Sequence, residues 1–81
     1  MKLVVQIPCL NEEATLPLVL KSIPKKIAGI DEVTVLVIDD GSTDKTIEVA
    51  KKHGVKEFVT HAKRMGLARS FQDGVDRALE L

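Results

Sequence analysis

The chain has 81 residues, enough for one small domain and no more. Its twelve basic and twelve acidic residues cancel, so it lacks the basic excess typical of general nucleic-acid binding. A single cysteine, Cys9, excludes an intrachain disulfide framework and a cysteine-rich zinc site. Hydrophobic residues make up 44% of the chain but only two are aromatic, Phe58 and Phe71, so we expect an aliphatic core.

The first predicted element is a short strand over residues 3–7, a run of mostly β-branched side chains that Pro8 closes. A polar loop over residues 9–14 follows. The next apolar residues recur at helical spacing and predict a helix that begins at Thr15 or Leu16 and stops at Pro24. These residues are Leu16, Val19, Leu20 and Ile23.

The second predicted strand, Val33 to Asp39, is almost continuously apolar. Such a strand is buried on both faces, which is typical of a parallel sheet. Residues 41–44 form a polar turn with several candidate helix caps. A second helix follows, with apolar surface from Ile47 to Ala50, and Gly54 ends it.

Glu57 to His61 predicts a short third strand, and a long helix follows the loop at residues 62–66. Its apolar stripe is expected to face the core and consists of Leu67, Phe71, Val75, Ala78 and Leu79. The order β-α-β-α-β-α and right-handed crossovers predict an α/β fold. We expect a three-layer, Rossmann-like unit with a parallel three-stranded sheet, forming one domain over residues 1–81.

Polar segments precede all three helices and should meet at one edge of the sheet, over residues 8–13, 39–44 and 63–66. In open α/β sheets, ligands bind at this edge, beside the helix amino termini. Two adjacent carboxylates at a strand end, Asp39 and Asp40, are costly unless a ligand, a metal or a dipole uses one of them. The alternative is a capped turn with no ligand, since these are also the residue types that turns prefer.

Several other polar residues have a structural interpretation that needs no ligand. Lys63 and Arg64 could be solvated surface cations. Cys9 is interpreted as a small residue packed near a strand end, because no histidine is near it in sequence. His53 and His61 lack metal-ligand spacing and are interpreted as structural.

The chain resembles the amino-terminal, nucleotide-binding part of inverting glycosyltransferases of family 2, which have the GT-A fold. Three motifs carry the resemblance, in order and at the family's spacing, over essentially the whole chain. They are IPCLNEE at 7–13, VIDDGSTDKT at 37–46 and KRMGLARSFQDGVDRAL at 63–79. They look closest to the branch of the dolichol-phosphate mannose synthases, and the family's strand order implies 3-2-1 here.

The resemblance implies a site for a nucleoside-diphosphate sugar. Asp40 falls where the family reads the base, and a carboxylate accepts an N–H from uracil or guanine strongly. Lys63 and Arg64 fall where the chain approaches the diphosphate, whose charge cations offset. The full set implied for nucleotide binding is Pro8, Leu10, Glu12, Asp39, Asp40, Lys63 and Arg64, with Asp39 supporting the turn.

The family's metal-binding D-x-D motif and its catalytic base have no counterpart up to Leu81. We therefore expect this chain to be the nucleotide-binding part of a longer enzyme, with no catalytic or metal-binding residue of its own. The full enzyme would transfer a sugar, such as mannose or glucose from GDP or UDP, to a lipid phosphate. It would use Mg²⁺ or Mn²⁺ to stabilise the departing diphosphate.

The chain carries no signal-peptide pattern and no apolar run near the ~18 residues of a membrane span. The expected compartment is the cytoplasm or its membrane face, with membrane contact only through further sequence or a lipid acceptor. In the implied strand order the first strand lies at an edge of this unit. Exposed edges recruit other strands, so we expect self-association through residues 3–7.

Three other classes of protein are alternatives to a glycosyltransferase. A phosphoacceptor receiver domain also pairs acidic residues, but after its first strand, whereas Asp39 and Asp40 follow the second. A Rossmann dehydrogenase needs a glycine fingerprint after its first strand, and residues 8–11 contain no glycine. A non-catalytic binding or interaction module of the same shape is the third.

Overall fold

A computed structural model describes residues 1–81 of the chain and confirms the predicted element order. The third strand ends at Thr60, one residue before the predicted end, and the first strand extends through Pro8 to Cys9. Proline is tolerated there because this is an edge strand. The elements are β1 (Lys2–Cys9), α1 (Leu16–Ser22), β2 (Glu32–Asp39), α2 (Thr46–Lys52), β3 (Glu57–Thr60) and α3 (Leu67–Glu80).

The three strands form one parallel sheet with β2 in the middle, in the order β1-β2-β3. This is the order predicted from the resemblance. Cys9 pairs with Asp39, and Asp39 pairs with Thr60, so the carboxyl ends of all three strands lie level at one edge. The second half of the apolar run of β2 is buried as predicted, and Leu36 and Ile38 have no exposed surface, whereas residues 33–35 are half-buried.

Helices cover both faces of the sheet and give the predicted three layers. Side chains of α1, α2, the loop after α2 and alternate strand positions form the core on one face: Cys9, Leu16, Val37, Ala50 and Val55. On the other face α3 lies against β1 and β2, where Gly74 contacts Gln6 and Ile38. The core is aliphatic, and Phe58 packs at its margin.

The predicted core stripe of α3 was wrong for three of its five residues, while Val75 and Ala78 are half-buried. Leu67, Phe71 and Leu79 are 70%, 62% and 82% exposed, and the residues of α3 that are buried are Ser70 and Gly74. Small side chains allow the helix backbone to approach the sheet closely, so this face packs on the strands and the large residues stay outside. Apolar periodicity located the stripe but could not show whether anything covers it.

The exposed part of that stripe borders an open groove beside the edge strand. Leu67 and Phe71 form one wall, and Val4 and Pro8 of β1 contribute the other. Gln6 also lines it, and its side-chain oxygen is buried without a hydrogen-bond partner. None of the helices is both long enough and apolar enough to cross a membrane.

Candidate functional site

Three loops follow the carboxyl ends of the strands and lie side by side. We call them the first loop (residues 10–15), the second loop (40–45) and the third loop (61–66), and together they form the rim. The parallel register brings them to one edge, as the sequence predicted. Direct hydrogen bonds link the first loop to the second and the second to the third, so the rim is one connected surface.

Asn11 fastens the first loop to the second. Its backbone N–H donates to the hydroxyl of Ser42 at 2.9 Å, and its side-chain oxygen accepts from the backbone N–H of Thr43 at 2.8 Å. The residue has a φ of 53°, a left-handed conformation that asparagine tolerates better than most residues. Asn11 is therefore a structural link within the rim.

Asp44 stabilises the turn that leads into α2. One oxygen accepts from the backbone N–H of Thr46 at 3.0 Å and also from its hydroxyl, and the other accepts from the backbone N–H of Glu13 at 3.2 Å. These bonds favour the ionised form, with the Thr46 hydroxyl first, and they lower the pKa of Asp44. The turn interpretation of Asp44 is confirmed.

Asp39 also supports the turn. Its side chain is 7% exposed and accepts from the backbone N–H of Ser42 at 3.1 Å. Its backbone carbonyl accepts from the N–H of His61 at 2.9 Å, which fixes the start of the third loop. The carboxylate thus has an internal partner.

Asp40 is the best satisfied carboxylate in the rim. It is 6% exposed, and it accepts from the backbone N–H groups of Met65 at 2.7 Å and Gly66 at 2.9 Å. Its Oδ1 lies 2.8 Å from Nδ1 of His61. The bond from Met65, followed by that from His61, lowers the pKa of Asp40 to about 2. In this structure Asp40 holds the third loop against the end of β2.

His61 lies between two carboxylates. Its Nδ1 is bonded to Asp40, and its Nε2 lies 2.7 Å from Oδ2 of Asp73 on α3. Arg69, one helical turn before Asp73, donates from Nε to both oxygens of Asp73, at 3.0 and 3.1 Å. The hydrogen bonds with Asp40 and then Asp73 raise the pKa of His61. This network joins the end of β2, the third loop and the first two turns of α3.

The network was not found from the sequence, which gave His61 a structural role without naming a partner. The histidine and Asp73 are twelve residues apart and sit on different elements, so no local spacing pattern joins them. The one available signal was the spacing of Arg69 and Asp73, which is that of an ion pair on one face of a helix.

Of the remaining predicted site residues, four lie in the rim, and Pro8 lies just before it, at the end of β1 and on the wall of the groove. Pro8 and Glu12 are exposed and Leu10 is half-buried, while the Glu12 carboxylate accepts from the hydroxyl of Thr15 at 2.6 Å. Lys63 and Arg64 of the third loop are exposed, and neither takes part in an ion pair. Among these predicted site residues, one carboxylate and two unpaired cations face solvent, and Glu13 and Lys45 are also exposed in the rim.

Cys9 does not supply a nucleophile. Its side chain is 3% exposed, and burial, with help from nearby carboxylates, raises its pKa to about 12. A thiol in this state is protonated and unreactive at neutral pH. The packing interpretation of Cys9 is confirmed.

The rim does not fit a divalent metal. No group of three or more His, Cys, Asp or Glu side chains is arranged to hold one. Asp39 and Asp40, the adjacent pair, already accept hydrogen bonds from the chain itself.

Comparison with known proteins gives the family. The model of glycosyl transferase family 2 matches residues 4–80, almost the whole chain. The chain belongs to glycosyl transferase family 2. The match includes all three loops of the rim, and it favours neither the receiver domain nor the dehydrogenase alternative.

Individual relatives agree with the family. Uncharacterized glycosyltransferases of Mycobacterium bovis and Mycobacterium tuberculosis are 49% identical to the chain over 55 residues, which is 68% of this chain and 22% of theirs. An uncharacterized protein of Methanocaldococcus jannaschii is 39% identical over 75 residues, 93% of this chain and 29% of its own length. The chain thus spans less than a third of the relatives that it matches.

Proposed function

We propose that the rim of this family 2 member binds the nucleoside-diphosphate end of a sugar donor. The observation that carries the proposal is the arrangement of the rim itself. Its three loops are bonded together at the carboxyl edge of a parallel sheet, and they present Glu12, Lys63 and Arg64 to solvent. This is the edge at which open α/β sheets bind ligands.

The exposed side chains suit the parts of a nucleotide. Lys63 and Arg64 are unpaired, so a diphosphate would gain their charge without breaking an ion pair. Pro8 and Leu10 offer apolar surface for one face of a base. The exposed carboxylate of Glu12 can accept hydrogen bonds from a base or a ribose hydroxyl.

The role of Asp40 in binding depends on whether the third loop releases its carboxylate. In this conformation three donors surround its carboxylate, and it is 6% exposed. Direct reading of a base by Asp40 stays a prediction, and it requires the third loop to release the carboxylate. Without that release, Asp40 contributes by holding the third loop, which carries the two cations.

For the whole enzyme we propose transfer of a sugar, such as mannose or glucose from GDP or UDP, to a lipid phosphate at the cytoplasmic membrane face. The proposed reaction resembles that of the dolichol-phosphate mannose synthases. The base that deprotonates the acceptor and the ligands of Mg²⁺ or Mn²⁺ would come from outside residues 1–81. The chain's own residues would bind and orient the donor.

Nuclear magnetic resonance titration of the ¹⁵N-labelled chain tests the proposal. Millimolar UDP-glucose or GDP-mannose should shift amides of the three loops and leave the amino ends of the strands unchanged. The variant Lys63→Ala should weaken the shifts, whereas Lys52→Ala, an exposed lysine at the end of α2, should not. Absence of any shift in the loops with either compound would refute the site.

A further inference from the structure

His61 makes two hydrogen bonds that one neutral imidazole cannot make together. A neutral ring has one N–H donor and one acceptor nitrogen, whereas the charged ring donates from both. Its two partners, Asp40 and Asp73, are carboxylates with lowered pKa values, so both are ionised acceptors at neutral pH. The geometry, 2.8 Å on one side and 2.7 Å on the other, is therefore that of an imidazolium.

The partner on one side of the ring is also the carboxylate that holds the third loop. Asp40 bonds the backbone N–H groups of Met65 and Gly66 while it bonds His61. On the other side, Asp73 is fixed by Arg69. The ring is 11% exposed, so water replaces a lost partner poorly.

Few charged groups surround His61. Asp40 faces it from the end of β2, and Asp73 faces it from α3, with Arg69 beyond Asp73. The cations of its own loop, Lys63 and Arg64, are exposed to solvent. Both groups in direct contact are anions, and both favour the charged ring.

We infer that His61 is a positioning residue: when charged, it fixes the third loop through Asp40 and Asp73, and so places Lys63 and Arg64 to receive the donor's diphosphate. The identity of the ligand rests on the proposed function. The structural half of the inference is that the position of the third loop depends on the charge of His61, and this half needs no ligand. Loss of the proton removes one of the two bonds and loosens the loop.

This predicts a pH dependence of binding with a definite sign. Affinity for a nucleotide sugar should be highest when His61 is protonated and should fall as pH rises through the raised pKa of the ring. Nucleotide sugars are the right probes because both phosphates are esterified and keep their charge across this range. Free UDP or GDP gains negative charge as pH rises, which would act in the opposite direction.

Two pairs of variants separate this role from general stability. His61→Asn removes the charge, and His53→Asn is its control, because His53 is exposed at the end of α2. Asp73→Asn removes one carboxylate from the ring. Asp76→Asn is its control on the same helix, where Asp76 bonds only Gln72.

The experiment measures UDP-glucose or GDP-mannose affinity from pH 5 to 9 by calorimetry, with the His61 ring and the Met65 and Gly66 amides followed by nuclear magnetic resonance. The native chain should lose affinity about fivefold or more across the His61 titration. His61→Asn should bind weakly at every pH, Asp73→Asn should move the midpoint to lower pH, and both controls should follow the native profile. Resonance spectra of each variant verify that it is folded.

The outcomes distinguish this inference from the proposed function. Binding that is equally tight in folded His61→Asn at pH 6, or independent of pH in the native chain, overturns the positioning role while leaving the nucleotide site in place. If neither nucleotide sugar binds at any pH, the proposed function fails. The Met65 and Gly66 amides then test the structural half of the inference. If their resonances shift with pH together with the His61 ring, the structural half is supported. If they do not shift as His61 titrates, it is overturned.

Discussion

A Cβ atom added to Gly41 would lie 2.6 Å from the backbone nitrogen of Arg64. The second and third loops therefore touch backbone to backbone at this point, and no side chain fits between them. Gly41 also has a φ of 81°, a conformation that glycine adopts without strain. The glycine that follows the paired aspartates thus sets the distance between the two loops.

We expect Gly41→Ala to destabilise the chain and to displace the third loop. The matched control is Gly54→Ala, where φ is 91° but nothing lies within 4 Å of the added Cβ. Both variants share the cost of the left-handed conformation, so their difference isolates the clash. Urea unfolding should show Gly41→Ala to be less stable than Gly54→Ala by about 1–3 kcal/mol, a typical cost of overpacking. Equal losses would show that the loops separate freely.

A second close approach joins α3 to the sheet. A Cβ on Gly74 would meet the buried side-chain oxygen of Gln6, which has no hydrogen-bond partner. We expect Gly74→Ala to lower the free energy of unfolding of the native chain. In a Gln6→Ala background the same substitution should cost less, by about 1 kcal/mol or more. Removing the Gln6 side chain relieves most of the clash, although Ile38 remains nearby, and alanine is the better helix former.

Urea unfolding of the four chains of this cycle measures the coupling between Gln6 and Gly74. The control cycle replaces Gly74→Ala by Gln72→Ala, an exposed position on the same helix, and should be additive within about 0.5 kcal/mol. Additivity in both cycles would mean that α3 does not pack on Gln6 as described.

Much of this architecture was predictable because it depends on local patterns. The apolar run of β2 predicted a buried strand of a parallel sheet, and the residues after it predicted the turn that Asp44 stabilises. The level carboxyl ends of the strands followed from the order of the elements. The rim was therefore correctly located as a meeting point of three loops.

The parts that the sequence did not reveal depend on contacts between distant residues. His61 and Asp73 meet only because α3 packs back over the sheet, and nothing local marks their pairing. The contact face of α3 was missed for a related reason. Ser70 and Gly74 recur at helical spacing and mark a close approach, but apolar periodicity gave priority to the larger Leu67 and Phe71.

The network around His61 should give stability a maximum in mildly acidic solution. The pKa of Asp40 is lowered from 3.8 to about 2, so its contribution is present above pH 3.8 and is lost as pH falls toward 2. The pKa of His61 is raised from 6.5, so its contribution is complete below pH 6.5 and is lost as pH rises through the folded-state pKa. Both contributions are present between about pH 4 and 6.5.

Thermal unfolding across pH, followed by circular dichroism, measures this profile. His61→Asn should flatten the alkaline side of the profile, because the titrating ring is gone, while His53→Asn should leave it unchanged. A native chain whose stability rises steadily from pH 6.5 to 9 would contradict the described network.

We also predict self-association through the edge strand. On its outer side β1 has no partner strand in the sheet, and Leu3 is 36% exposed there. A lysine on an edge strand opposes pairing with a second chain, so Leu3→Lys should increase the monomer fraction in sedimentation equilibrium. Leu18→Lys is the control, since Leu18 is 69% exposed on α1 and is not part of the edge strand. A native chain that stays monomeric at all concentrations would rule out the association.

The most direct test of a nucleotide site in the rim is calorimetric titration of the chain with GDP-mannose and UDP-glucose at pH 6. Two double variants carry equal losses of charge: Lys63→Ala with Arg64→Ala in the third loop, and Lys51→Ala with Lys52→Ala at the end of α2. Our account predicts that the native chain binds at least one of the two compounds. It also predicts that the loop variant loses about tenfold or more of that affinity, as expected for two charge-assisted contacts, while the α2 variant keeps it. Equal affinity of the two double variants would contradict a diphosphate site in the rim.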